Sequence, residues 1–239
     1  MRLNKFIASS GEGSRREADK MIEAGRVFVN GERVTALATT VDPLHDRVEL
    51  DGRVITPEKK KYYIVLNKPK RYITSNRDQR GRASVLELAT DIDARLFPVG
   101  RLDYNTSGLL ILTNDGDFSN AVAHPRNEIY KTYIAKINSV LRKEDIKRLR
   151  EGIGLDDGMT APARVDIIKV ESGRSEVKIS IYEGRNRQVR RMFAAVGCAD
   201  IELRRIAVGD VMLGHLPEGK WRHMTEHEIK SLYKRGEGN

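Results

Sequence analysis

The 239 residues, 39% of them hydrophobic, suffice for one medium domain and a smaller companion. No apolar run reaches membrane-spanning length, and Arg2, Lys5 and the charges between Glu12 and Lys20 interrupt any signal-peptide core. The single cysteine, Cys198, excludes an internal disulfide and a multi-cysteine zinc site; it is expected as a small core residue in a protein of the reducing cytoplasm.

The net charge of +9 favours nucleic acid as partner, because a basic surface gains affinity by releasing counterions from phosphates. About +1 of it belongs to residues 1–60 and about +8 to the rest. Any RNA contact in the first part must therefore come from basic residues gathered on one face.

In chain order, Leu3, Phe6 and Ile7 share one face of a first helix. Ser14 and Glu17 have capping-box spacing before a second helix, whose apolar side is Ala18, Met21 and Ile22 and whose stop is Gly25. Arg15, Arg16 and Lys20 fall at its start and on its outer side. Asn30-Gly31 and Asp51-Gly52 each sit between alternating apolar residues and predict two tight hairpins. These elements make a module of about 60 residues, near the lower limit for a self-sufficient core. Thr56 to Lys61 reads as a charged linker, so the division is 1–58 and 62–239.

Beyond the linker, strands are expected at 62–67, 109–113, 129–137, 163–170 and 176–182. Helices are expected at 117–123, 142–151, 187–196 and 226–234, the last with Thr225 and Glu228 in capping register. Adjacent strands with interspersed helices favour α+β, a small N-terminal α/β module followed by a mixed sheet domain, over a regular parallel array. The five histidines are scattered without metal-ligand spacing, and no P-loop or dinucleotide fingerprint is present.

The most informative stretch is GRLDYNTSGLLILTNDG, Gly100 to Gly116. It sets Arg101, Asp103 and Tyr104 on a loop entering an apolar run, which Gly108 is expected to bound. A carboxylate there can be held rigidly while facing a cleft, although an aspartate before a strand also serves turns. Further on, Val189, Met192, Phe193 and Val196 make an apolar helical stripe, with Arg187, Arg190 and Arg191 crowded near its start. A helix dipole does not favour cations at that end, so the cluster wants an anion: RNA phosphate or Asp103.

The GRLD stretch resembles the central motif of the RsuA-type bacterial ribosomal pseudouridine synthases. Asn67-Lys68-Pro69, Lys131-Thr132-Tyr133 and EGRNRQVRRM (Glu183 to Met192) match in the same order, and the residues from Arg2 to Gly31 look like the RNA-binding module named after the S-four ribosomal protein. The resemblance covers nearly the whole chain and implies a largely antiparallel catalytic sheet and no metal or cofactor. It implies Asp103 as the catalytic carboxylate, attacking the ribose C1′ or abstracting a ribose proton. Tyr133 would stack on uracil and assist proton transfer, and Arg190, with Arg187 as competitor, would pair with Asp103. Lys68, Arg101, Lys131, Arg187 and Arg191, with Arg15, Arg16 and Lys20 of the module, would contact RNA. The partner implied is ribosomal RNA, 23S in preference to 16S, met by a monomer that modifies it in the cytoplasm; a non-catalytic assembly protein is the rival. Two departures stand out: Arg71 replaces a glycine common in relatives, and Asn105 an acidic residue.

Overall fold

The computed structural model describes residues 1–75 and 81–236. They divide into two compact units, Met1–Tyr62 with Asn114–Gly116, and Tyr63–Thr113 with the chain from Asp117 onward.

The first unit runs α1 (Leu3–Ser9), α2 (Arg15–Glu23), β1 (Val27–Val29), β2 (Glu32–Val34), β3 (Val48–Leu50) and β4 (Arg53–Ile55). Its antiparallel sheet has the order β2-β1-β3-β4. The Ser14 hydroxyl accepts from the Glu17 amide while the Glu17 carboxylate accepts from the Ser14 amide, so the capping box is complete. Asn30-Gly31 and Asp51-Gly52 both have positive φ at each residue, the conformation two-residue hairpins require. Leu3, Phe6, Ile7, Ala18 and Ile22 close over Val27, Val48, Leu50 and Ile55. Phe6 and its neighbours, each worth about 1.5–3 kcal/mol when buried, hold this small module together.

The second unit contains β5 (Tyr63–Lys68), β6 (Phe97–Pro98), β7 (Thr106–Thr113), α3 (Gly116–Ala123) and β8 (Lys131–Ile137). It continues with α4 (Lys143–Glu151), β9 (Gly154–Leu155), β10 (Gly158–Met159), β11 (Arg164–Glu171) and β12 (Arg174–Ile181). Last come α5 (Gln188–Ala194), β13 (Ile201–Val208), β14 (Val211–Met212), β15 (Trp221–His223) and α6 (Glu226–Gly236). The main sheet has the order β11-β12-β8-β13-β7-β5-β15, with β14 beside β13 and β6 beside β7. β13 runs parallel to β7 and antiparallel to β8, which makes the sheet mixed and largely antiparallel. The Thr225 hydroxyl accepts from the Glu228 amide, so the expected cap of α6 is present.

Three local expectations are corrected. Gly108 lies inside β7, not at its boundary: its φ is +106°, and a Cβ there would come within 2.1 Å of the Arg205 carbonyl. Glycine permits the close parallel approach of β13. The eight-residue β13, Ile201–Val208, was not anticipated: its buried face runs through Ile201, Leu203, Arg205 and Ala207, and the charged Arg205 at an inward position breaks the apolar alternation. Cys198 is half-buried, not a core residue, with Sγ 3.0 Å from the Ser139 hydroxyl.

Candidate active site

Lys131, Tyr133, Ala135 and Ile137 alternate onto one face of β8, which they share with Ile179 and Ile181 of β12 and Leu203 and Arg205 of β13. Toward one end of this face opens a cleft of about 460 Å³, bordered by the Gly100–Asp103 loop and the Glu183–Arg190 segment. Asp103, Lys131, Tyr133, Arg187, Arg190 and Arg205 all line it.

The loop carrying Asp103 is pinned carbonyl by carbonyl. The Thr74 hydroxyl donates to Leu102 O (2.8 Å), the Arg71 amide to Tyr104 O (2.7 Å) and Arg190 Nη2 to Asn105 O (2.9 Å). Lys68 Nζ donates to Pro69 O (2.9 Å), Asp103 O (3.2 Å) and Thr106 O (2.9 Å). Five consecutive carbonyls, 102 to 106, are thereby satisfied, and the Asp103 backbone has little freedom to move. Its side chain remains about one-third exposed toward the cleft.

Arg190 reaches Asp103 with its Nε, 3.8 Å from Oδ2. Its Nη1 donates to Ile201 O (2.8 Å), and Nη2 donates to Thr106 Oγ1 (3.2 Å) as well as Asn105 O. That Nε is buried with no hydrogen-bond partner. Unsatisfied buried donors are rare, and a small movement of the carboxylate would close this one. Burial and the Arg187 charge push the Arg190 guanidinium below its ordinary pKa, while Asp103 opposes the shift. Of the two candidate arginines, Arg190 is the one the fold brings to Asp103. Arg187 is exposed at the cleft, outside α5, as the N-cap residue in left-handed conformation (φ +49°).

Two of the residues expected to contact RNA are engaged within the protein. Lys68 is fully buried, so its ammonium braces the Asp103 loop and cannot meet a phosphate from solvent. Burial draws it down to about 8, against the attraction of Asp103 and Glu218. Arg191 spends its guanidinium on Asp157, donating to both carboxylate oxygens at 2.8 and 2.9 Å and holding that acid near 2. Arg101 is exposed at the cleft, and Arg15, Arg16 and Lys20 are exposed along α2 in the first unit. His124 caps the turn at Pro125–Asn127, and among the described residues no cluster of His, Cys, Asp and Glu could hold a metal ion. None of the described helices is long and apolar enough to cross a membrane.

Residues 62–195 match the RNA pseudouridylate synthase family, and residues 1–43 match the S4 domain. The chain belongs to the RNA pseudouridylate synthase family. It is 44% identical to an RNA pseudouridine synthase of Aquifex aeolicus (strain VF5), over 98% of this chain and 94% of that one. It is 43% identical to the ribosomal large subunit pseudouridine synthase B of Bacillus subtilis (strain 168), over 97% and 95%. A pseudouridylate synthase crystal structure aligns with a TM-score of 0.69 and 32% identity, covering 97% of this chain and 99% of the other.

Arg71, one of the two departures, adopts φ +67°, a left-handed conformation that favours glycine, with strain. A further feature of this synthase escaped sequence reasoning. Arg205 is 96% buried, donates Nε to Leu109 O (2.7 Å) and places its guanidinium 6.0 Å from the centre of the Tyr133 ring. An arginine in a strand gives no apolar signal by which its burial could be foreseen.

Proposed function

We propose that this synthase converts a uridine of ribosomal RNA to pseudouridine, with 23S RNA of the large subunit as its substrate. The observation that carries the chemistry is Asp103, fixed by its backbone, facing the cleft, with the open Nε of Arg190 3.8 Å away. The reaction breaks the C1′–N1 bond, turns the uracil, joins C5 to C1′ and moves the C5 proton to N1; nothing is consumed. The Asp103 carboxylate acts at the ribose, by attack on C1′ or by removal of a ribose proton, and Arg190 aims it. Tyr133 stacks on the detached ring from the cleft wall and assists the proton transfer. The target uridine leaves its stack to enter, at a cost of a few kcal/mol.

Ribosomal RNA is supported by the Bacillus subtilis relative, whose name is that of a large-subunit enzyme and which matches this chain over nearly its full length. The module 1–58 docks on RNA through Arg15, Arg16 and Lys20, which meet backbone and shape, not base edges. The enzyme works as a cytoplasmic monomer. Chemical mapping of pseudouridines in ribosomes from cells with and without this protein tests the assignment. Loss of a single 23S site is expected; loss confined to 16S RNA would overturn the substrate while leaving the chemistry intact.

A further inference from the structure

The catalytic cleft contains more positive charge than the Asp103–Arg190 pair accounts for. Lys131 and Arg205 project from neighbouring strands onto the same sheet face, where Arg205 pairs in register with Tyr133, two residues along from Lys131. Neither has a carboxylate partner among the described residues. Lys131 Nζ donates to Tyr182 O (2.9 Å), and the terminal nitrogens of Arg205 make no hydrogen bond there. The two acids that line the cleft are engaged elsewhere. Asp103 faces Arg190, while Glu183 accepts from the Ala161 amide and Gln188 Nε2 and lies 3.3 Å from Arg185. Burying two like charges without a counter-ion is costly, and mutation to apolar residues would relieve it. Burial and the Arg205 charge bring the Lys131 ammonium down to about 8, as expected for a cation held without its anion.

The anion that fits is one the reaction itself creates. When the C1′–N1 bond breaks heterolytically, the electron pair stays on N1 and spreads to the O2 and O4 oxygens of the ring. The detached base is then an anion stacked beside Tyr133 until C5 bonds to C1′, the C5 proton leaves and N1 is protonated. We infer that Lys131 and Arg205 form a cationic seat for the uracil anion, stabilising charge that appears only after the glycosidic bond begins to break. Donors fixed in place before the charge develops are the arrangement that lowers a barrier most. A backbone phosphate is the competing anion, but Arg205 is 96% buried and flanks the Tyr133 ring, where the base and not the backbone stacks. This inference rests on the reading of the cleft as the uridine site.

The test uses the full-length enzyme, ribosomal RNA tritiated at uridine C5, single-turnover rates of tritium release, and separately measured RNA affinity. Lys131→Gln keeps a neutral donor for Tyr182 O and removes the charge; Lys131→Arg keeps the charge. The Gln variant is expected to be slower by about 100-fold with RNA affinity within about threefold, and the Arg variant to recover most of the rate. Arg205→Gln, a second and independent removal of charge, is expected to act like Lys131→Gln. Rates within threefold of wild type in either folded Gln variant would overturn the inference, as would a loss that appears wholly in affinity, the mark of a phosphate contact. An inactive wild-type enzyme would instead overturn the functional reading itself.

Discussion

At the scale of single residues, the chemistry turns on how Asp103 is held. Asp103→Asn retains shape and the pinned backbone but loses the ionised oxygen. It is expected to fold and bind RNA as wild type does, with single-turnover rate reduced by at least about 1,000-fold. Arg190→Met removes the group facing Asp103, and the rate should fall about 100-fold; Arg187→Met, at an exposed position, should cost less than about tenfold. The reverse order would transfer the role to Arg187. The lysines make a different kind of prediction. Lys68 and Lys131 each drop from 10.5 to about 8 in the folded enzyme, so between those pH values the unfolded chain binds more protons. Stability from these groups therefore rises as pH climbs from 8 to 10.5, and is lowest below 8. In urea unfolding, the stability of wild type relative to Lys131→Gln is expected to improve between pH 7 and pH 10; a difference independent of pH would contradict the shift. Arg71, at φ +67°, should gain roughly 1 kcal/mol of stability when replaced by glycine, read from the same urea curves.

At the scale of elements, much of the fold was legible because its signals are local. Ser14 with Glu17, Asn30-Gly31, Asp51-Gly52 and Thr225 with Glu228 each act through neighbours three residues away or fewer, and each forms as its spacing predicts. The less legible features depend on distant partners. Gly108 looks like a strand boundary until β13 is laid against it, and β13 hides its own alternation behind the inward-facing Arg205. Lys68 and Arg205 look like surface cations because their counterparts are backbone carbonyls that no motif displays. The same geometry gives a test of the β7–β13 approach. Gly108→Ala would drive a methyl to 2.1 Å from the Arg205 carbonyl, with both strands unable to part without breaking their ladder. A destabilisation of about 3 kcal/mol or more is expected in urea unfolding. A variant as stable as wild type would show that the strands are not packed this closely.

At the scale of the whole molecule, the chain joins a small RNA-binding fold to a catalytic sheet, and the two contribute in different terms. Replacing Arg15, Arg16 and Lys20 together by alanine should weaken binding to structured ribosomal RNA and reduce the slope of log affinity against log salt by about one unit per lost phosphate contact. The rate of the bound complex should be unchanged, because none of the three lines the cleft. A fall in that rate would mean that the module also positions the uridine. Net charge sets a background for both parts, but the +9 total does not specify a target; fit between the protein and an RNA fold does.

The carboxylate of Asp103 is expected to drive rearrangement of uridine in ribosomal RNA, and tritium release from C5-labelled uridine tests this most directly. Wild-type enzyme should release tritium from 23S RNA or its precursor particle at one site per molecule, and Asp103→Asn, equally folded and equally bound, should release none above background. Release by the Asn variant at a rate near that of wild type, or no release by wild type from any ribosomal RNA, would contradict the account.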